Sequence, residues 1–376
     1  MPVQTQSIAH HIPAPRPALL VHVRTKGQTD EELAWSAHEF EALAREVACR
    51  PVCSLALTRS FADDSDRVGS GTLALLQRTI GELAGPGAVH VLLVDAALSP
   101  RQQRELEQAL ELPILDRTQL ILELFALRAR TEEAKLTIEL ARARHRLPRL
   151  REDRSKQGRE GGGGRGERGN TQIALAKERC RTQIGALERQ LARVQAMARR
   201  QRGRREALRR VALVGYTNAG KSSWLSALTG TETLIADKPF ASLGTTVRTL
   251  QRKSARQEPI LLCDTVGFLR RLPHELIPSF QSTLDEVRGA DLVLCVADAT
   301  DPRLREQLEI VERTLESLEC AGVPCWLLLN KQDRLSREAR SQLAAAFPRA
   351  LHVSAHVPAD VALVRRLLAE QFEVPA

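Results

Sequence analysis

Arg210-Val211-Ala212-Leu213-Val214 runs straight into Gly215-Tyr216-Thr217-Asn218-Ala219-Gly220-Lys221-Ser222, and this junction decides the fold. The first five residues read as a buried strand, and Lys221 to Leu228 as the helix after it. Between them lies the pattern G-x-x-x-x-G-K-[ST], a phosphate-binding loop. A glycine at each end lets the backbone wrap a phosphate closely, while loop N–H groups and the helix N-terminus supply partial positive charge. Lys221 is placed to reach the outer phosphates and Ser222 to hold magnesium. Ser223, beside it, completes this part of the nucleotide-binding set.

Two further strand ends carry matching signals. Ile260-Leu261-Leu262-Cys263 leads into Asp264-Thr265-Val266-Gly267, a D-x-x-G pattern. Asp264 would hold magnesium through water, and the Gly267 N–H would sense the third phosphate, so Lys221 and Gly267 are the catalytic candidates. Cys325-Trp326-Leu327-Leu328-Leu329 leads into Asn330-Lys331-Gln332-Asp333, an N-K-x-D pattern. The Asp333 carboxylate can accept from guanine N1 and N2, groups that adenine does not offer as donors. A site that leaves polar edges unpaired with the wrong base discriminates by roughly 10⁴-fold, so the expected nucleotide is GTP or GDP. Ser354-Ala355, after the strand-like Ala350-Leu351-His352-Val353, fits a weaker fifth guanine-contacting position. The order of the four patterns, each at a strand end, makes an inert α/β domain an untenable reading.

The chain has 376 residues, enough for two or three domains. Its seven cysteines (Cys49, Cys53, Cys180, Cys263, Cys295, Cys320, Cys325) lack C-x-x-C spacing and several fall in apolar strand runs. They read as buried thiols in a reducing compartment, with no zinc site. No apolar run approaches the ~18 residues of a membrane span and no signal-like start is present, so a cytoplasmic protein, a monomer, is expected. The net charge of +9 is unevenly placed: between Arg128 and Arg210 there are 25 Lys or Arg against 10 Asp or Glu. Arg199, Arg200, Arg202, Arg204 and Arg205 lie close together there. A basic excess so concentrated is read as a surface for RNA phosphates rather than a merely solvated helix face.

The fold class is α/β in three parts: a small parallel N-terminal domain (1–117), a basic antiparallel helical hairpin (118–205) and a P-loop G domain of Ras-like α/β type (206–376). In the first part, apolar runs at Ala18–Val23, Val52–Leu57 and Val89–Asp95 alternate with helical patterns near Asp30–Cys49 and Thr72–Leu83. Its Thr25-Lys26-Gly27 is too weak to be a phosphate loop. In the second, Leu136, Leu140, Ala143 and Leu147 form one narrow seam and Ile184, Leu187, Leu191 and Val194 another. Between them Arg151 to Asn170, with four consecutive glycines, has the composition of a segment without structure of its own. It is either a flexible linker or a basic tip that orders in an RNA cavity.

Further stretches carry a family likeness. Leu98-Ser99-Pro100-Arg101-Gln102-Gln103-Arg104, Asp116-Arg117-Thr118-Gln119-Leu120-Ile121-Leu122-Glu123 and Ala129-Arg130-Thr131-Glu132-Glu133-Ala134-Lys135-Leu136 are three of them. Leu147-Pro148-Arg149-Leu150, Thr171-Gln172 and Leu272-Pro273-His274-Glu275-Leu276 join the phosphate loop and Asp264-Thr265-Val266-Gly267-Phe268. Together they resemble the HflX-type GTPases. The resemblance implies a protein that binds the large ribosomal subunit and its rRNA in the GTP state, near the peptidyl-transferase centre, and splits stalled or stressed ribosomes. It also implies a switch at Phe240-Ala241-Ser242-Leu243-Gly244, where the family has Phe-Ala-Thr-Leu-Asp. Ser242 then keeps the magnesium-binding hydroxyl, with Thr245 and Thr246 as alternatives, and Gly244 loosens the loop. The family's Gly-Pro-Gly-Glu-Thr-Gln-Leu-Glu is reduced to Glu167-Arg168-Gly169-Asn170-Thr171-Gln172-Ile173-Ala174. The extra C-terminal domain of some members is not expected here.

Phe268 occupies the position where many GTPases place a water-orienting polar side chain, so slow hydrolysis that a partner stimulates is expected. Asn218 either seats potassium beside the phosphates or only stabilises the loop. Three functions fit: a ribosome-splitting GTPase, a GTPase of ribosome assembly or another RNA, and a GTP-dependent regulatory module with negligible turnover.

Overall fold

The computed structural model describes residues 15–25, 27–58, 67–83, 88–129, 131–150, 165–203, 208–230, 246–250, 259–265, 267, 287–317, 320 and 322–372. The chain divides into two compact units, Met1–Leu127 with Ile138–Glu188, and Arg128–Thr137 with Arg189–Ala376.

The first unit is built on a four-stranded parallel sheet of order β2-β1-β3-β4, from β1 (Arg16–Arg24), β2 (Cys49–Thr58), β3 (Val91–Val94) and β4 (Ile114–Asp116). Helices α1 (Asp30–Glu46), α2 (Ser70–Glu82) and α3 (Pro100–Leu110) connect them. Two of the three begin at capping boxes, Thr29 with Glu32 and Ser99 with Gln102, each satisfying helix N–H groups that have no partner inside the helix. Leu19, Leu92, Val94, Leu76 and Leu106 are fully buried between the layers. The helical pattern expected to reach Cys49 ends at Glu46, because Ala48 turns at φ 55° and Cys49 already begins β2. β4 was not foreseen, since three residues are too short to show a period.

The sheet carries a buried ionic cluster. Asp95, just beyond β3, accepts from Arg117 Nη1 at 2.6 Å and from the Ser36 hydroxyl at 3.0 Å, and His22 Nδ1 stands 3.9 Å away. Arg117 also donates to Glu39 at 3.3 Å.

Helices α4 (Arg117–Arg128), α5 (Glu132–Arg146) and α6 (Arg165–Gly203) follow. Of the two seams, Leu136, Leu140, Ala143, Leu187 and Leu191 are buried, while Leu147, Ile184 and Val194 are half-buried. Arg144 donates to Glu188 and Arg146 to Gln183, both at 2.8 Å, so α5 and α6 run antiparallel here. At the end of α5, Arg149 donates to the carbonyls of Leu98 and His145, to Gln103 and to the fully buried Asp116. The glycine-rich stretch was expected to lack structure as far as Asn170, but α6 begins at Arg165. Once a helix is nucleated, each added residue gains a hydrogen bond, and this outweighs the local glycines. Residues 151–164 lie outside the described residues.

The second unit holds a six-stranded sheet of order β10-β9-β8-β5-β7-β6. Its strands are β5 (Arg209–Val214), β6 (Thr246–Thr249), β7 (Ile260–Asp264), β8 (Leu292–Asp298), β9 (Cys325–Asn330) and β10 (Leu351–His352), all parallel except β6. Helices α7 (Lys221–Thr229), α8 (Leu304–Ser317), α9 (Arg337–Ala346) and α10 (Pro358–Phe372) accompany it. Trp224 of α7, Leu213, Leu294 and Val364 are fully buried in its core. The strand order reverses at β5, and in open parallel sheets that reversal opens a crevice beyond the strands' carboxyl ends. Five of the seven cysteines are buried as expected; Cys53 is half-buried and Cys325 exposed, because it opens β9 at the sheet's margin.

Burial alone would raise the Asp95 carboxyl, but His22, Arg117 and Ser36 together hold it below the ordinary carboxylate range. A carboxyl lowered on folding contributes stability above the unfolded value of about 4 and loses it as pH falls through the lower folded value. The protection of the β1 and β3 amides against exchange, relative to the unfolded chain at the same pH, should therefore fall below about pH 4 in the wild type. Asp95→Asn should already be destabilised at pH 7, by about 3 kcal/mol, and should change less on acidification. A variant whose pH dependence matches the wild type would remove Asp95 as the cause.

Candidate nucleotide-binding site

The phosphate-loop residues leave β5 at the sheet's reversal point. Gly215 takes φ 146°, and a Cβ there would lie 2.0 Å from the Val296 carbonyl oxygen of β8. No other residue fits. Asn218 adopts φ 63° and Gly220 φ 98°, after which α7 begins at Lys221. Successive residues of this kind are the backbone conformation from which anion-binding concavities are built. Tyr216 and Ala219 close the turn through a backbone bond at 3.3 Å.

The Lys221 Nζ donates to the carbonyls of Gly215 and Tyr216, at 3.0 and 2.8 Å. Burial pushes its ammonium down to about 8, while the Asp264 carboxylate pulls the other way. A buried cation held mainly by neutral carbonyls is a ready counter-charge for phosphate. The Ser222 hydroxyl donates to Asp264 Oδ2 at 3.0 Å, which brings the two proposed magnesium donors together. Both are hard oxygen donors, and magnesium binds through one or two carboxylates plus phosphate oxygens, so the pair fits that ion. Ser223 lies in the same first turn of α7, half-buried.

Thr265, next to Asp264, donates its hydroxyl to the Leu213 carbonyl at 2.6 Å, fixing the D-x-x-G segment against β5. Gly267 approaches the loop so closely that a Cβ would meet Thr217 Cα and Cγ2 at 2.9 Å and Lys221 Nζ at 3.0 Å. Val266 and the switch stretch Phe240, Ala241, Ser242, Leu243 and Gly244 lie outside the described residues, as do Thr245, Phe268 and most of the helix expected from Leu276 to Val287. Of Thr246, only its place at the start of β6 is described.

Asn330, buried at the end of β9, joins three segments. Its Nδ2 donates to the Ala219 carbonyl at 2.8 Å and its Oδ1 accepts from the Ala355 N–H at 3.1 Å. Asp333 stands exposed, its carboxyl held below the usual range first by a hydrogen bond from Ser354. Ser354 is itself fixed by the Asp360 carboxylate, which accepts its N–H at 2.8 Å. Gln332, beside them, is buried and lies 3.3 Å from His352 Nδ1. Lys331 pairs with Asp298 at 2.6 Å, a partner that the motif spacing does not reveal.

Comparison with known proteins agrees with this arrangement. A family described as 50S ribosome-binding GTPase matches residues 210–331; models of a GTP-binding GTPase N-terminal region and middle region match residues 35–126 and 128–205. The GTPase HflX of Caldanaerobacter subterraneus is 37% identical over 321 residues, 85% of this chain and 73% of its own length. The chain belongs to the HflX family of GTPases. Another member, from Escherichia coli K12, is 37% identical over 323 residues. The GTPase HflX of Gluconacetobacter diazotrophicus is 46% identical over 282 residues, and that match spans 62% of the relative's length. The crystal structure of SsGBP with GDP shares the fold at a TM-score of 0.52 and 22% identity, over 96% of this chain and all of that one. The six-stranded sheet of the second unit accordingly belongs to a P-loop GTPase domain. Among the described residues no helix is long and apolar enough to cross a membrane.

Asn330→Ala should weaken GDP binding about tenfold to hundredfold, because the buried Ala219 carbonyl and the half-buried Ala355 N–H lose their bonds at about 1–3 kcal/mol in all. Calorimetric titration with GDP measures it, and an unchanged affinity would show that the bridge does not set the site.

Proposed function

We propose that this chain hydrolyses GTP to GDP and phosphate in association with the large ribosomal subunit, and that the cycle splits or rescues stalled ribosomes. The observation that carries the nucleotide half is the Asn330 bridge, which joins the phosphate loop, the N-K-x-D turn and Ser354-Ala355. The working division is an N-terminal α/β domain (1–117), a basic hairpin (118–205) and the G domain (206–376).

In this reading Gly215 to Ser223 cradle the phosphates, with Lys221 beside the outer ones, while Asn330 to Asp333 and Ser354-Ala355 hold the base. Ser222, Asp264 and Ser242 hold magnesium, which when bound neutralises charge between the outer phosphates. Gly267 senses the third phosphate through its N–H. Asn218, beside the phosphates, is the candidate to seat potassium. The side chain after Gly267 is Phe268, which neither donates nor accepts, so it cannot orient water. The partner therefore supplies the missing positioning.

Two observations support rRNA as that partner. The family model over residues 210–331 describes a 50S ribosome-binding GTPase. The basic helix α6 also exposes Arg179, Arg181, Arg189, Arg193 and Arg200, while its Leu187 and Leu191 are buried. Arginines that reach solvent along one helix form a track for phosphates, and each contact made releases counterions, so association should weaken steeply with salt.

Turnover of GTP with and without large ribosomal subunits tests the reading. Stimulation should appear in potassium buffer, shrink in sodium and vanish with Lys221→Ala. Equal turnover with and without subunits would overturn the ribosomal half. Stimulation without subunit dissociation would move the assignment to ribosome assembly, and GTP binding with negligible turnover to a regulatory module.

A further inference from the structure

The lysine of the N-K-x-D turn makes an ion pair with a residue outside the motifs, Asp298. β8 ends at Asp298 and β9 at Asn330, directly opposite each other in the ladder, so Lys331 leaves the sheet next to Asp298. Lys331 takes the left-handed conformation, φ 65°, and its Nζ donates to Asp298 Oδ2 at 2.6 Å. The other carboxylate oxygen, Oδ1, accepts the N–H and the hydroxyl of Thr300, at 2.9 and 2.7 Å. A carboxylate bonded at both oxygens cannot swivel. The lysine is thus held at both ends, by its backbone at one and by Asp298 at the other. The two side chains are 12% and 17% exposed, which limits competition from water.

We propose that Asp298 is a positioning residue for guanine-nucleotide binding: it holds Lys331 extended, so that the lysine's alkyl stem forms a preset apolar wall of the base site beside Asp333. The proposal rests on the guanine reading of Asp333. Lysine stems cover flat apolar surface while the ammonium stays with a polar partner. Left free, a side chain with so many rotamers must be ordered at the moment of binding, and that cost is subtracted from affinity. A stem reads no base edge, so its contribution is equal for guanosine and inosine nucleotides. Asp333, which accepts from guanine N2, separates the two.

The test is calorimetric titration of GDP and IDP into the wild type, Asp298→Asn, Lys331→Met and the double variant, with thermal unfolding midpoints confirming that each is folded at the titration temperature. Asparagine keeps a carbonyl for the Thr300 turn and removes the lysine's counter-charge. Asp298→Asn should weaken both nucleotides by roughly threefold to tenfold, the cost of ordering one such side chain. It should add no further loss in the Lys331→Met background, because the coupling runs through that lysine. Unchanged affinity, the same loss in both backgrounds, or a loss confined to GDP would overturn the proposal. Equal wild-type affinity for GDP and IDP would instead remove the guanine reading, and the proposal with it.

Discussion

One side-chain amide holds the nucleotide site together. Asn330 donates to the loop carbonyl of Ala219 and accepts from Ala355, joining segments 111 and 25 residues away in sequence. The arrangement depends on Gly220, where a Cβ would sit 2.1 Å from Asn330 Nδ2. It also depends on the β8–β9 register, which sets Asn330 opposite Asp298, and on β5 standing between β7 and β8. A buried amide left without partners costs more than the bond it makes is worth. The bridge therefore enforces the loop's shape as well as recording it.

Motifs built from local backbone chemistry were legible in the sequence. The glycines of the phosphate loop show themselves because positive φ and close approach leave no other choice, and the strands flanking them show as short apolar runs. Partnerships across the sheet were not legible. Nothing in the spacing says that Thr265 bonds to Leu213, that Asp298 holds Lys331 or that Arg149 reaches Asp116. Each of these follows from strand order and register, which a local pattern does not contain. β4 and the start of α6 escaped for the opposite reason: their local signals are weak and tertiary or helical cooperativity decides them.

The two sheets of this chain show how far topology goes toward function. Both place their first strand where the order reverses, β1 beside β3 in one and β5 beside β8 in the other. That is where open parallel sheets leave room for ligands. In the G domain the strand runs into a loop with positive φ at Gly215, Asn218 and Gly220, whose Gly215 and Tyr216 carbonyls hold the Lys221 ammonium. In the N-terminal domain the corresponding end is filled from within: His22 of β1, Asp95 after β3, Ser36 of α1 and Arg117 of α4 all converge there, each less than 5% exposed. Arg117 and Asp95 bring to each other the opposite charges that a ligand would otherwise supply. The same fold rule therefore yields a nucleotide cradle at one reversal point and a self-paired ionic core at the other, and the residues at the strand end make the difference.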